Sequence, residues 1–170
     1  FGFIGSPFII ANNYIIGPEV NLSGADLAGA NLVEADLFGA NLSNADLSGS
    51  DARSATLAFA NLSGTNLSNA DLSNSGLFQA DLTNADLSGA NLTNVNMEEA
   101  TLTGVSGQLA SAVGTLLSAG YVIANNYIVG AGVNLANADL SGLNLTDANL
   151  TGTNLTGANL TGVDLTGAIL

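Results

Sequence analysis

Leucine returns at every fifth position over two long stretches of this chain, and that spacing limits the possible folds more than any other feature. From position 22 to position 102 the slot holds Leu, except for Ala52 and Met97, and the same spacing returns from Leu135 to Leu170. Five residues turn an α-helix through about 500°, which would spread the leucines around its circumference. A strand would send successive leucines to opposite faces. Neither a helix nor an ordinary strand explains the pattern.

Each unit of five reads Ala-(Asp/Asn)-Leu-x-x, as in residues 25–29 and 30–34. Ala and Leu lie two positions apart, so in extended backbone both point inward and the Asp or Asn between them points outward. The last two residues are usually Ser or Thr followed by Gly or Asn, which tolerate the positive φ of a corner. Self-similarity at a fixed period predicts a solenoid, in which each unit buries its apolar side against its neighbours.

These units resemble the A(D/N)LXX pattern of the pentapeptide repeat family, over residues 20–104 and 133–170. The resemblance implies an all-β fold, a right-handed quadrilateral parallel β-helix with one unit on each side of a four-sided coil. It also implies about six coils in two segments, which at a strand-like spacing of ~4.8 Å form a rod about 30 Å long.

Two lead-in segments precede the arrays, because residues 121–135 repeat residues 8–22 almost position for position. In each, two short apolar runs flank Asn-Asn, which can adopt the left-handed conformation of a tight hairpin turn. The lead-in is also similar to that of cyanobacterial members of the family. Residues 105–120 leave the leucine pattern and contain three glycines, so we expect an ordered loop against the side of the first array. The predicted divisions are an N-terminal hairpin lead-in (1–19), a first array (20–104), a loop plus second hairpin lead-in (105–132) and a second array (133–170).

Residue types that carry most enzyme chemistry are missing. The chain has no His, Cys or Lys, which excludes Ser-His-Asp, Cys-His and Schiff-base arrangements. Glu98 and Glu99 are adjacent carboxylates that we interpret as a solvated corner, and no phosphate-binding glycine motif follows a strand. The turns lack the glycine-aspartate pattern of calcium-binding solenoids. We therefore predict no enzyme activity, no catalytic residues, no cofactor, no metal and no small-molecule substrate. No apolar run is long enough for a membrane span.

The charge is strongly negative, since fourteen acidic residues face a single cation, Arg53, for a net charge of −13. Nine of the acids are Asp at the outward position of a unit, at 26, 36, 46, 51, 71, 81, 86, 139 and 164. The simpler interpretation is that each side chain caps its turn. The alternative is mimicry of DNA, because some proteins of the family that this chain resembles protect type II topoisomerases from fluoroquinolones in that way. Residues 19–104 would carry about 0.5 charges per Å of axis, near the ~0.6 of duplex DNA.

Apolar side chains at outward positions mark candidate interfaces. Phe38, Phe59 and Phe78 fall on one side of successive coils, where residues 105–120 or the N-terminal residues could cover them, or another molecule could bind laterally. Solenoids need polar caps, yet the first and last residues of this chain are apolar. Two apolar ends predict head-to-tail association, which does not close on itself. The residues predicted for that interface are Phe1, Phe3, Ile4, Phe8, Ile169 and Leu170.

The resulting hypothesis is a non-catalytic structural protein that associates end to end with itself, with no direct binding of nucleic acid. A lysine-free surface of small residues favours a secreted, extracellular filament. One alternative is an acidic DNA-mimic module that binds a type II topoisomerase. Another is a monomeric binding protein of the periplasm or thylakoid lumen.

Overall fold

The structure, a computed structural model, describes residues 7–170, and that range contains no helix. It contains six short strands, which pair as two antiparallel hairpins and one parallel pair. We call the β1–β2 pair hairpin 1 and the β5–β6 pair hairpin 2, while β3 pairs with β4 in parallel. The strands are β1 (Ile9–Ala11), β2 (Tyr14–Ile16), β3 (Asn96–Met97), β4 (Leu116–Leu117), β5 (Val122–Ala124) and β6 (Tyr127–Val129).

Most of the molecule is a four-sided coil that repeats every 20 residues. Single parallel bridges join outward residues 20 positions apart, beginning with Asn21 and Asn41. Because 20 residues are four units of five, each unit forms one side. Two backbone bonds recur on every side, such as Leu27 N–H to the carbonyl of Asp46 at 2.7 Å and Asp46 N–H to the carbonyl of Ala25 at 2.9 Å. The backbone is therefore paired from coil to coil.

The interior is a column of leucine and alanine. Every leucine of the repeat slot from Leu27 to Leu92 is completely buried, and Ala52 and Met97 fill their slots at the same exposure of 0%. Full burial of one leucine contributes about 1.5–3 kcal/mol. Stacking of the units therefore supplies the stability that no single unit could provide.

The corners are held by the outward Asp and Asn side chains. The Oδ1 atom of Asp46 accepts the N–H of Ser48 at 2.9 Å, and Oδ1 of Asn61 accepts the N–H of Ser63 at 3.0 Å. All nine outward aspartates make this bond to the residue two positions on. Asp and Asn therefore serve the turn equally well, but only Asn has an amide that also donates to the neighbouring coil, as the amide of Asn66 donates to Oδ1 of Asp46 at 3.1 Å.

Residues 105–117 differ from the expected loop, because they continue the coil. Ser106 bridges Asp86, Ser111 bridges Asn91, and β4 pairs with β3 through Leu116 and Asn96. The outward positions keep the spacing of five, while the leucine slot holds Gly107 and Ala112. The expectation of a loop was wrong because it followed the leucines rather than the spacing. We call residues 20–117 the first stack.

Hairpin 2 separates the first stack from a second stack, residues 133–170. The second stack has the same 20-residue bridges, from Asn134 with Asn154 to Asn149 with Ile169. The two residues at each hairpin turn, Asn12–Asn13 and Asn125–Asn126, have φ between 47° and 67°. Such a turn needs positive φ at both central positions, which asparagine tolerates. The two hairpins therefore share one local design.

Candidate interaction surfaces

Hairpin 1 lies against one end of the first stack. The side-chain amide of Asn12 donates to the carbonyl of Ala28 at 3.1 Å, and the N–H of Asp26 donates to the hydroxyl of Tyr14 at 3.3 Å. The strands alternate, so Ile16 is fully buried while Ile10 and Ile15, which are paired across the hairpin, point the other way. Hairpin 1 thus presents an apolar outer face.

The outer face of hairpin 1 is among the most exposed apolar surfaces of the described residues. Ile10 is 79% exposed and Ile15 is 62% exposed. The sequence analysis did not single out these two residues, although the period-two alternation of a hairpin carries the signal. Of the residues that were predicted for this end, Phe8 is described and is half exposed. Phe1, Phe3 and Ile4 lie outside the described residues.

The last coil of the second stack is less well covered than the coils before it. Leu155, Leu160 and Leu165 occupy the inward slot but are only partly buried, whereas Leu140 is fully buried. Ile169 and Leu170, both predicted for an end interface, are 58% and 75% exposed. This end of the second stack consists of leucine side chains and backbone groups. No further coil within residues 7–170 covers it.

An aromatic stripe runs along one corner of the first stack. The rings of Phe38 and Phe59 lie 5.2 Å apart, and those of Phe59 and Phe78 lie 5.9 Å apart in an edge-to-face arrangement. Residues 105–117 do not cover the stripe, because they continue the coil, and Phe38 and Phe59 remain exposed. Each pair of aromatic rings in contact stabilises a protein by about 0.5–1.5 kcal/mol beyond the burial of its apolar surface.

Carboxylates flank the aromatic stripe along the same corner. The N–H of Glu19 donates to the carbonyl of Phe38 at 2.8 Å, and the N–H of Gln79 donates to the carbonyl of Glu98 at 3.1 Å. The side chain of Gln79 also donates to Glu99. Glu98 and Glu99 are both exposed. They form part of a solvated corner, as interpreted from the sequence.

Four of the outward aspartates have a lowered pKa. The guanidinium of Arg53 donates to both carboxylate oxygens of Asp51 at 2.7 Å and lowers the pKa of that carboxyl. The backbone N–H of Ser48 lowers the pKa of Asp46, with help from the hydroxyl of Ser48 and the amide of Asn66. The hydroxyls of Ser141 and Thr166, with their N–H groups, lower the pKa of Asp139 and Asp164 in the same way. These aspartates are therefore held in the charged form.

The remaining candidates for a site in residues 7–170 are clusters of metal-ligand side chains and clefts. Groups of three or more His, Cys, Asp or Glu that could hold a metal ion do not occur in this range. A cleft of about 270 Å³ lies between hairpin 2 and residues 144–149. Its charged lining is limited to Asp147, and Val122, Val129 and Leu145 supply apolar walls. The surfaces with a clear physical character are the two ends and the aromatic stripe.

Sequence comparison decides the family. The family model described as pentapeptide repeats matches eight copies, over residues 19–51, 53–77, 77–106 and 131–170. The chain belongs to the pentapeptide repeat family. The fold of that family, a right-handed quadrilateral β-helix, agrees with the four-sided coils described above. Among proteins with curated functional descriptions, none matches this sequence.

Solved structures of pentapeptide repeat proteins are similar to this one. HetL of the cyanobacterium Nostoc sp. strain PCC 7120, involved in the regulation of heterocyst differentiation, is 37% identical; the match covers 90% of this chain and 69% of HetL, with a TM-score of 0.58. The fluoroquinolone resistance protein QnrB1 is 19% identical over 88% of this chain and 72% of its own, with a TM-score of 0.56, and shows the fold alone.

A third similar structure is a pentapeptide repeat protein of the thylakoid lumen of Arabidopsis thaliana. It is 34% identical over 52% of this chain and 66% of its own, with a TM-score of 0.41. Within residues 7–170, no helix has the length and apolar character needed to cross a membrane.

Proposed function

We propose that this chain is a non-catalytic structural protein whose solenoid associates end to end with copies of itself. The observation that carries the proposal is the apolar outer face of hairpin 1, where Ile10 and Ile15 are 79% and 62% exposed at one end of the rod. Exposed apolar surface of this kind marks a contact site. The last coil of the second stack offers a matching surface of partly buried leucines.

The geometry of such a contact favours a filament over a closed particle. The two surfaces lie at opposite ends of the stacked coils and differ from each other, so each copy would bind the next in the same direction. Head-to-tail contacts of this type extend without closing. The stripe of Phe38, Phe59 and Phe78 supplies a lateral contact between such rods. A surface with no lysine, rich in Ser, Thr, Asn and Asp, favours a filament outside the cell.

Sedimentation of the 170-residue chain over a concentration series, with negative-stain microscopy of the same samples, tests the proposal. We expect the mean mass to rise with concentration and unbranched filaments one solenoid wide to form. The variant Ile15→Glu places a charge on the outer face of hairpin 1 and should remove the filaments. Val113→Glu is the matched control, because Val113 is 73% exposed on a side of the rod and not at its end.

A uniform small particle at every concentration would overturn end-to-end association. It would favour the second candidate, an acidic DNA mimic that binds a type II topoisomerase. The observation behind that candidate is a pair of columns of outward residues on neighbouring sides of the coil. Asp26 bridges Asp46 in one column, and Asp51 bridges Asp71 in the other. Arg53 pairs with Asp51 and so neutralises part of the second column, which weakens the likeness to a phosphate backbone. Inhibition of DNA supercoiling by gyrase would separate the two functions.

A further inference from the structure

The chain contains an internal junction between a coil end and a hairpin. On one side, hairpin 2 contacts the coil that follows it, since the side-chain amide of Asn125 donates to the carbonyl of Asp139 at 2.8 Å. On the other side it contacts the coil that precedes it, since the N–H of Leu109 donates to the carbonyl of Asn126 at 2.7 Å. Hairpin 2 is therefore held between two coils.

Hairpin 1 has the first of these contacts but lacks the second. Asn12 occupies the place of Asn125 and donates to the carbonyls of Asp26 and Ala28 in the coil that follows. Within residues 7–170 no coil lies on the other face of hairpin 1. In hairpin 2 the residues at the places of Ile10 and Ile15 are Ile123, which packs against the core, and Ile128, which is 4% exposed.

We propose that the last coil of one copy covers hairpin 1 of the next copy as residues 101–117 cover hairpin 2. This inference rests on the end-to-end association proposed above and adds its register and its contact residues. The internal junction supplies the template, because the same hairpin, with the same strand register, is already seated there on the end of a pentapeptide coil. The occupant is a second copy of this chain.

The template fixes the register through one side of the coil. At the internal junction the N–H of Asn134 donates to the carbonyl of Val105 at 2.9 Å, which brings outward Asn134 next to outward Ser106. Asn134 in turn bridges Asn154 on the same side of the next coil. Asn21 holds the place of Asn134 in the first lead-in. Asn21 of one copy therefore lies next to Asn154 of the other.

The backbone groups at this junction are complementary. Within residues 7–170, neither the N–H of Asn21 nor the N–H of Gly157 donates to another backbone carbonyl. In the proposed register the first donates to the carbonyl of Thr153. The second donates to the carbonyl of Asn13, as Leu109 donates to Asn126. Unpaired N–H and C=O groups at an open sheet edge readily form hydrogen bonds with another chain.

The side chains continue an existing ladder across the junction. The amide of Asn41 donates to Oδ1 of Asn21 at 3.1 Å, and the amide of Asn154 donates to Oδ1 of Asn134 at 3.0 Å. In both pairs the residue of the later coil donates to the residue of the earlier one. Asn21, as the later residue at the junction, would donate to Oδ1 of Asn154. The direction of the ladder is therefore preserved.

Disulfide trapping in this naturally cysteine-free chain tests the register. Neighbouring coils are about 4.8 Å apart, within the range of Cα separations that a disulfide spans. The double variant Asn21→Cys/Asn154→Cys should give a ladder of covalent multimers under mild oxidation, resolved on a non-reducing gel. Asn21→Cys/Asn159→Cys is the control of wrong register, because Asn159 lies on the next side of the same coil, and it should give no ladder.

A second control tests whether a disulfide can form at the internal junction. Ser106→Cys/Asn134→Cys should close within one chain, with a change of mobility and no multimers. If filaments form but the 21/154 pair gives no ladder, or the 21/159 pair gives an equal one, the register is wrong while end-to-end association stands. If the unmodified chain does not associate at any concentration, the proposed function fails and the register fails with it.

Discussion

The two hairpins have the same turn, the same strand register and nearly the same sequence, yet one is covered and the other is bare. Ile128 in hairpin 2 is 4% exposed, whereas Ile15 at the same place in hairpin 1 is 62% exposed. The inner faces are alike, since Ile16 and Val129 are both buried. Burial of the outer face is thus decided by what lies beyond the hairpin and not by the hairpin itself. Each hairpin therefore has an inner face that packs on the coil that follows it and an outer face that a second coil can cover.

The largest effect is expected from a substitution in hairpin 2, which lies between the two stacks. Ile128→Ala should lower the free energy of unfolding by about 2–5 kcal/mol, because it leaves a cavity between the two stacks. Ile15→Ala should change it by less than about 0.5 kcal/mol, because an exposed side chain loses little on truncation. Urea unfolding followed by circular dichroism, at a concentration at which the chain is monomeric, measures both.

The same experiment reports on the coupling between the stacks. Each coil of a solenoid contacts only its neighbours, so a weakened contact at hairpin 2 should let the first and second stacks unfold separately. Two unfolding transitions in Ile128→Ala and a single transition in Ile15→Ala would show that hairpin 2 couples the two stacks and that hairpin 1 does not. Equal losses in the two variants would mean that hairpin 2 is not seated between coils in solution.

Spacing alone predicted a solenoid, because a period of five fits neither a helix nor an ordinary strand. The resemblance to pentapeptide repeats implied four units per coil, which places the three phenylalanines on one side, and the ring distances of 5.2 and 5.9 Å agree. Leucine identity was a poorer guide than spacing. At residues 105–117 the outward positions keep the period of five, but Gly107 and Ala112 stand in the leucine slot. The backbone bridges from coil to coil continue through those replacements, since Ser106 bridges Asp86 and Ser111 bridges Asn91.

The ends were harder to predict than the sides. The sequence pointed to the terminal residues, such as Ile169 and Leu170, whereas the larger exposed face of hairpin 1 is Ile10 with Ile15. Their neighbours Ile9 and Ile16 are just as apolar, so composition cannot distinguish the two faces. The distinction comes from hairpin register, and the cover comes from a coil distant in the chain. The alternation within the strands separates the two faces, but it does not show which face another coil covers.

A second pair of substitutions should affect both hairpins alike, in contrast to the isoleucines. Each hairpin has an aromatic ring packed over a glycine: a Cβ on Gly17 would lie 2.1 Å from Cδ1 of Phe8, and one on Gly130 would lie 2.3 Å from Cδ1 of Tyr121. Gly17→Ala and Gly130→Ala should each lower the free energy of unfolding by about 1–3 kcal/mol, since the ring must move.

Thermal and urea unfolding of the two glycine variants would be compared with Gly76→Ala. A Cβ on Gly76 meets no atom within 4 Å, and its φ is not positive. That control should retain or slightly raise stability, by about 0.4–1 kcal/mol. If only Gly130→Ala lost stability, the ring over Gly17 would not be part of the folded hairpin, and the two hairpins would differ inside as well as outside.

The smallest expected effect concerns the aspartates under the two hairpins, Asp26 and Asp139. The hydroxyl and N–H of Ser141 lower the pKa of Asp139, whereas the residue two positions after Asp26 is Ala28, which has no hydroxyl. A carboxyl whose folded pKa is lowered stabilises the fold above its unfolded pKa of about 4, and that contribution disappears as pH falls through the folded pKa. The difference in Tm between the unmodified chain and Asp139→Asn should therefore shrink as pH is lowered below about 4. Asp26→Asn is the reference for loss of one negative charge at the equivalent place. A difference that does not depend on pH, or one of equal size and pH dependence in both variants, would show that Ser141 does not stabilise the charged form.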